Sequence, residues 1–351
     1  LSWSVLSRPL TWPRDRVFFP ISPVLVRTEP GQEPAAMALL GLPSRHIGAK
    51  PRWATCASVT WAGPDRLMVV HMLTSTVFTY DFDGTVSPPR LELRHTLRDV
   101  TDLVWPDGIA TSPDGRWAAL SNQSRGTITV MAIDAESGAL RPDTLATIGV
   151  DGDINPHGIA FSPDSKFIVY TTVDLPGAIR VVSLDTASGH DEQAMLTLVQ
   201  RPDHARSPLA PKGVAFSPDG RFIAVSYGGT ATRAVTRPGR GMIEIRTYDP
   251  TSGTLGEAIS ESSPSLPLRC GEDIAWMPDG RRLLVTDQEA ERALLIDVEP
   301  ATGAIGAVSA EIRRAASGLS LPHGCAASGD GRWIAVTNYG DATVRIFATP
   351  P

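Results

Sequence analysis

Short apolar runs alternate along this chain with polar turns of nearly fixed composition. Five segments make the pattern plain: "DGIATSPDGRWAALSN" from Asp107, "HGIAFSPDSKFIVYTT" from His157, "KGVAFSPDGRFIAVSY" from Lys212, "EDIAWMPDGRRLLVTD" from Glu272 and "HGCAASGDGRWIAVTN" from His323. Each reads as a strand, a tight turn and a second strand. In the turn, Pro presets φ, Asp bonds its own backbone and Gly accepts positive φ. A third apolar run follows each copy after a polar loop, as in "GTITVMAID" and "GMIEIRTYD", and a weaker fourth precedes the next copy, as in "DTLATIGV". Four short strands repeating at roughly 50 residues predict the four-stranded antiparallel blades of a β-propeller.

Two weaker copies lie upstream, "SVTWAGPDRLMVVHM" from Ser58 and "PLTWPRDRVFFPI" from Pro9. Counting both predicts seven inner strands, and residues 1–351 then form a single seven-bladed β-propeller domain. The last copy ends after its third strand, so the N-terminal "LSWSVLS", residues 2–7, is expected to supply the missing strand and close the ring. Trp12, Trp61, Phe161, Phe216 and Trp276 share one inner-strand position, and Trp117, Phe167, Phe222 and Trp333 share one on the second strand. These aromatic residues are expected to pack blade against blade.

The segment "GTITVMAIDAESGALRPDTLATIGVDGDINPHGIAFSPD" is similar to the YVTN-type propeller repeat. The array as a whole resembles the lactonase family of seven-bladed propellers, which includes 6-phosphogluconolactonase-like and carboxymuconate-cyclase-like members. The resemblance implies small-molecule chemistry in the central funnel: lactone hydrolysis or formation, or a related isomerase or cyclase proton transfer. A non-catalytic scaffold that binds a ligand or protein is the alternative, because the same repeat also builds binding proteins. The "PHG" at His157 matches a rim histidine common in such lactonases, whereas the neighbouring rim position that often carries Arg is here Lys212.

The residue just before each inner strand sits at the mouth of the channel. Around the ring these are Arg8, Ala57, Asp107, His157, Lys212, Glu272 and His323. A ring that mixes both signs with two imidazoles, at one concave place, points to a site. His157 or His323 would move a proton, since imidazole titrates near neutral pH. Glu272 would orient His323, and Lys212 would hold an anion and stabilise developing negative charge. Loops joining second and third strands on the same face contribute His71, Asn122, Tyr227, Asp287, Asn338 and Tyr339. The expanded loop "YGGTATRAVTRPGRGM" adds Arg233, Arg237 and Arg240 as an anion clamp, and Trp105 is expected to wall the pocket.

Composition narrows the partners. A formal net charge of −6 argues against nucleic acid, so the expected partner is a small anionic metabolite. No run is apolar and long enough to span a bilayer. The odd set Cys56, Cys270 and Cys325, without CxxC spacing, suggests neither disulfides nor a zinc finger and fits a reduced, cytoplasmic protein. No cofactor is expected. A metal held by these thiols and the rim histidines is the less favoured reading.

Overall fold

The structure is a computed structural model that describes residues 24–28, 56–149, 155–173, 177–186, 194–198, 203–204, 209–228 and 241–349. Its strands form six sheets, antiparallel and in chain order from inner to outer strand except at the outer edge of the last, where an N-terminal strand is added. The inner strands are Cys56–Trp61, Pro106–Thr111, Pro156–Phe161, Ala210–Phe216, Gly271–Trp276 and Pro322–Ala327, which open blades 1 to 6 in that order. Blade 3 carries an extra two-residue strand, Asp203–His204, on its third strand. Among the described residues no helix is long and apolar enough to cross a membrane.

Among the described residues the ring closes with six blades, where seven were expected. Blade 1 packs its inner strand directly on that of blade 6 as well as on that of blade 2. The Thr337 hydroxyl of blade 6 donates to the Ala57 carbonyl of blade 1 at 2.9 Å, so no further blade fits between them. The segment at Pro9 that suggested a seventh lies outside the described residues. It lacks the Pro-Asp-Gly turn of the other copies, and its apolar spacing alone was a weak signal.

Closure by an N-terminal strand does occur, with different residues and direction. Val24–Thr28 pairs parallel with the third strand of blade 6, Val24 opposite Thr343 and Thr28 opposite Phe347. That places it at the outer edge of the last blade and covers the third strand's free ladder. The segment 2–7 to which closure was first assigned lies outside the described residues.

The core is divided among the blade interfaces. Six buried apolar clusters each join two neighbouring blades, and together they run once around the ring. The recurrent aromatic residues lie in them, apart from Trp12, which is outside the described residues: Trp61 meets Phe82 edge-on at 5.0 Å, and Phe82 meets Trp333 at 5.4 Å across the blade 6 to blade 1 closure. Flat blades of alternating apolar residues have two faces to bury, and each neighbour covers one of them.

The repeated turn is stabilised by its own side chains. In blade 6 the Ser328 hydroxyl donates to Asp330 Oδ1 at 2.6 Å and accepts the Trp333 N–H at 2.9 Å, while the Arg332 N–H donates to the same carboxylate at 3.0 Å. Ser112, Ser162 and Ser217 repeat the arrangement on Asp114, Asp164 and Asp219. Burial would raise the Asp330 pKa, but the bonds from Ser328 and Arg332 outweigh it and hold it at about 2. The group therefore contributes stability that is complete above the free value of 3.8 and lost as pH falls through about 2. Asp330→Ala is expected to cost about 0.5–1 kcal/mol at neutral pH, at the modest end because the carboxylate is half exposed. Urea unfolding at neutral pH and near pH 2 checks this, the gap between variant and wild type closing in acid.

Candidate active site

The first residues of every inner strand depart from regular pairing. The register slips between Cys56 and Ser58, Pro106 and Gly108, Pro156 and Ile159, Pro211 and Val214, Gly271 and Asp273, and Pro322 and Cys325. Bulges re-aim side chains, and here the bulged residue of each blade is the variable ring residue. A repeated hydroxyl fixes the bulge. Gly108, Gly158, Gly213, Asp273 and Gly324 donate their N–H to Ser121, Thr171, Ser226, Thr286 and Thr337 at 2.7–3.0 Å. Four of these hydroxyls pass their own proton to the next blade: Ser121 to the His157 carbonyl, Thr171 to Lys212, Thr286 to His323 and Thr337 to Ala57. The ring residues are thus located by hydroxyl-to-carbonyl bonds that link four of the six neighbouring blade pairs.

Five of those residues meet at the axis, all more than nine-tenths buried. Lys212 Nζ lies 2.6 Å from Glu272 Oε1. The same oxygen is 3.2 Å from His157 Nε2 and 3.3 Å from His323 Nε2. Asp107 approaches from the other side, with Oδ2 3.4 Å from His157 Nε2 and Oδ1 3.6 Å from His323 Nε2. The two imidazoles stack at 5.4 Å, and Tyr339 stacks on the outer face of His323 at 5.2 Å. Ala57 leaves the sixth position small.

The environment drives these groups apart. Burial depresses His157, but the Asp107 charge and the Glu272 hydrogen bond outweigh it and raise its pKa. His323 is lowered, chiefly by burial, against the pull of Asp107 and Glu272. Burial would raise Glu272, yet Lys212 and both histidines hold it well below the usual carboxylate range.

Below the cluster lies a cavity of about 520 Å³ running down the channel to Pro113, Pro163 and Pro218 at the turns. Asp107, His157 and His323 line its polar end, and Ile109, Phe161, Phe216 and Trp276 are among its apolar walls. Lys212 and Glu272 lie behind this lining. The expected role of Lys212 as an anion anchor is corrected accordingly: its ammonium is engaged by Glu272, and no Lys or Arg is among the described lining residues.

Asp273 is a residue that motif reading passed over. It also lines the cavity and stands where the other clear copies carry Gly108, Gly158, Gly213 and Gly324. Its carboxylate accepts the N–H groups of Ile274 and Cys325, both at 2.9 Å, and burial pushes its pKa up to about 7. The exception in a glycine column was its sequence signal.

The loop residues divide by one position. Asn122 bonds Thr129, Asn338 bonds Thr343 and the Gly318 carbonyl, and Asp287 accepts the Cys270 N–H and Arg292. His71 bonds Thr74, and burial lowers its pKa to about 4. Tyr227 is in the apolar core between blades 3 and 4. These five serve the blades and do not line the cavity, a correction with a simple cause: successive strand residues face opposite ways. In two of these loops the next residue turns toward the cluster, Tyr339 stacking on His323 and Gln123 donating to Asp107 Oδ2 at 3.1 Å. Half-buried Trp105 donates its backbone N–H to the Ser75 hydroxyl at 3.1 Å and is not at the cavity. Arg8, Arg233, Arg237 and Arg240 lie outside the described residues. The three cysteines are free and buried; only Cys270 touches the cluster, donating to Glu272 Oε2 at 3.4 Å.

The model of the lactonase family, described as a seven-bladed β-propeller, matches residues 143–320, slightly more than half of the chain. The chain belongs to the lactonase family of β-propellers. Membership supports lactone hydrolysis as the general chemistry of this lactonase-family chain, whose described residues close into six blades. No curated protein matches the chain closely enough to count as a relative.

Among solved structures, a protein of Bacteroides fragilis NCTC 9343 assigned as a 6-phosphogluconolactonase is similar at 18% identity, with 83% of this chain and 79% of that one covered and a TM-score of 0.58. The periplasmic gluconolactonase PpgL of Pseudomonas aeruginosa is similar at 18% identity, with 84% and 88% covered and a TM-score of 0.52. The hydrazine synthase of Kuenenia stuttgartiensis is equally alike in shape, at 17% identity, 88% and 99% covered and a TM-score of 0.52. Likeness at this level shows the fold, and the last comparison shows that the fold alone does not choose the reaction.

Proposed function

We propose that this lactonase-family chain hydrolyses a small lactone bound in the channel, with its carbonyl at the polar end of the cavity. The observation that carries the reading is the convergence of Asp107, His157 and His323 on one end of a cavity walled elsewhere by apolar side chains together with Ser58, Thr60, Thr111, Ser217 and Asp273. His157 Nε2 is hydrogen-bonded to the Glu272 carboxylate and its pKa is raised, whereas burial lowers that of His323 and favours the neutral imidazole that can take a proton from water. Water oxygen adds to the carbonyl carbon, the ring C–O bond breaks, and the departing alkoxide takes a proton, giving the open hydroxy acid. An imidazole placed beside both oxygens serves the proton's departure from water and its delivery to the alkoxide. The Lys212–Glu272 pair supports the imidazoles from behind the lining. An anionic group elsewhere on the substrate would have to be met by residues such as Arg233, Arg237 and Arg240.

The test is acid release in a pH-stat over a panel of sugar and muconate lactones. Wild type is expected to turn over at least one, and His323→Ala, verified to be folded, to lose about 100-fold in kcat/KM on it. Absence of turnover on every lactone, or a His323→Ala variant as fast as wild type, would overturn the assignment.

A further inference from the structure

We propose that His157, His323, Asp107 and Glu272 form a binding site for one divalent transition-metal ion of the zinc class. The first argument is distance. The four contacts linking the imidazole nitrogens to the two carboxylates are 3.2, 3.3, 3.4 and 3.6 Å. A charged N–H···O⁻ hydrogen bond closes to about 2.7–2.9 Å, as the Lys212–Glu272 contact does at 2.6 Å. The contacts among the four are looser than that throughout. The 3.2 and 3.3 Å contacts of Glu272 Oε1 are close instead to the edges of a tetrahedral site with bonds of about 2.0–2.2 Å, whose ligand atoms stand about 3.3–3.6 Å apart, and Asp107 offers each imidazole a different oxygen at a comparable distance, Oδ2 at 3.4 Å and Oδ1 at 3.6 Å.

The second argument is an unmet valence. Asp107 is 2% exposed, and its Oδ1 has no hydrogen-bond partner although it faces His323. A buried carboxylate oxygen without a donor is costly, and a cation beside it removes the cost. Its other oxygen is held by Gln123, in the manner of an outer partner that aims a metal ligand. The ligand atoms of Asp107, His157 and His323 all lie within 4.8 Å of one another.

Charge agrees. With both imidazoles neutral, as metal ligation requires, the two carboxylates and the Lys212 ammonium leave the cluster with one net negative charge. A dication carrying hydroxide brings it to neutrality, as buried clusters require. Two imidazoles with two carboxylates select a zinc-class ion over calcium or magnesium, which prefer all-oxygen shells with more ligands. The thiols that the less favoured reading of the sequence offered as ligands are not in the set: Cys325 is turned toward the Leu284 carbonyl, Cys56 is core, and Cys270 donates to Glu272 Oε2. Because Asp107, His157 and His323 line the cavity, a bound ion would face the space assigned to the lactone. There, with His323 Nε2 taken up as a ligand, the ion would supply the water activation that the imidazole supplies in the metal-free site.

The experiment uses the full chain after dialysis against a chelator, titrated with Co²⁺ and then with Zn²⁺, and read by visible absorption, metal content and thermal midpoint. The expected result is one Co²⁺ per chain with a four- or five-coordinate spectrum, displaced by Zn²⁺, and a midpoint that rises with free metal. His157→Ala, His323→Ala and the isosteric Asp107→Asn should each weaken binding by at least about 100-fold, and Gln123→Ala by about 10-fold, as for outer partners. His95→Ala, outside the cluster, should bind as wild type does. Binding below one ion per chain, or an unchanged spectrum in the histidine variants, overturns the site. Circular dichroism confirms that each variant is folded, with Asp107→Asn deciding if an alanine variant is not. The readout needs no substrate, so metal binding and lactone turnover succeed or fail separately.

Discussion

Lys212→Met is expected to lower the unfolding free energy by about 3–5 kcal/mol, the range for removing one member of a buried ion pair. Lys212 and Glu272 are 4% and 1% exposed, and their contact is 2.6 Å, so solvent neither screens the pair nor takes the place of the lost ammonium. Methionine fills nearly the same volume. The loss therefore reports the carboxylate left behind, with Asp107 close by, rather than a cavity. The companion Lys212→Met/Glu272→Gln should recover a large share of the loss, because the uncompensated charge is then gone. Urea unfolding of the single and double variants measures both. A single variant within about 0.5 kcal/mol of wild type would mean that the pair is not buried as the structure shows it. The same experiment separates this role from the anion-binding role first expected of Lys212, which predicts weaker ligand binding at unchanged stability.

What the sequence made legible was whatever a repeat states many times. The Ser-Pro-Asp turn is local chemistry, so it could be read copy by copy, and the blade followed from it. The ring residues Asp107, His157, Lys212, Glu272 and His323 stood out because they vary inside a fixed phrase, and the structure brings all five together. Three things were harder to see. Blade number depends on whether the inner strands close on each other, a long-range property shown by the Thr337 bond to Ala57 and not by the spacing of the segment at Pro9. Side-chain direction at the strand ends turns on a single residue, which is why Asn122 and Asn338 were favoured over their neighbours Gln123 and Tyr339. The hydroxyls Ser121, Thr171, Ser226, Thr286 and Thr337 passed unnoticed although they recur in one column, because a Ser or Thr near the end of a strand is unremarkable until its partner in the next blade is known.

Gly158→Ala is expected to cost about 3 kcal/mol or more, beyond ordinary overpacking, although it adds one methyl group far from any loop. A Cβ at Gly158 would be driven onto the Lys212 carbonyl and would stand 2.9 Å from the Gly213 Cα. Both neighbours are backbone of the adjacent inner strand, so no side chain can swing away to relieve the contact. The strand itself is held by the Gly158 N–H bond to Thr171, whose hydroxyl in turn donates to that same Lys212 carbonyl. Relief therefore requires blades 3 and 4 to separate at the axis, which shifts Lys212 and loosens the cluster with it. Gly149→Ala is the matched control: a Cβ there meets nothing within 4 Å, and the substitution should be neutral or slightly stabilising through the unfolded chain. Thermal and urea unfolding of the pair decide the matter. Equal stability of Gly158→Ala and wild type would mean that the inner strands stand farther apart than this six-bladed closure requires.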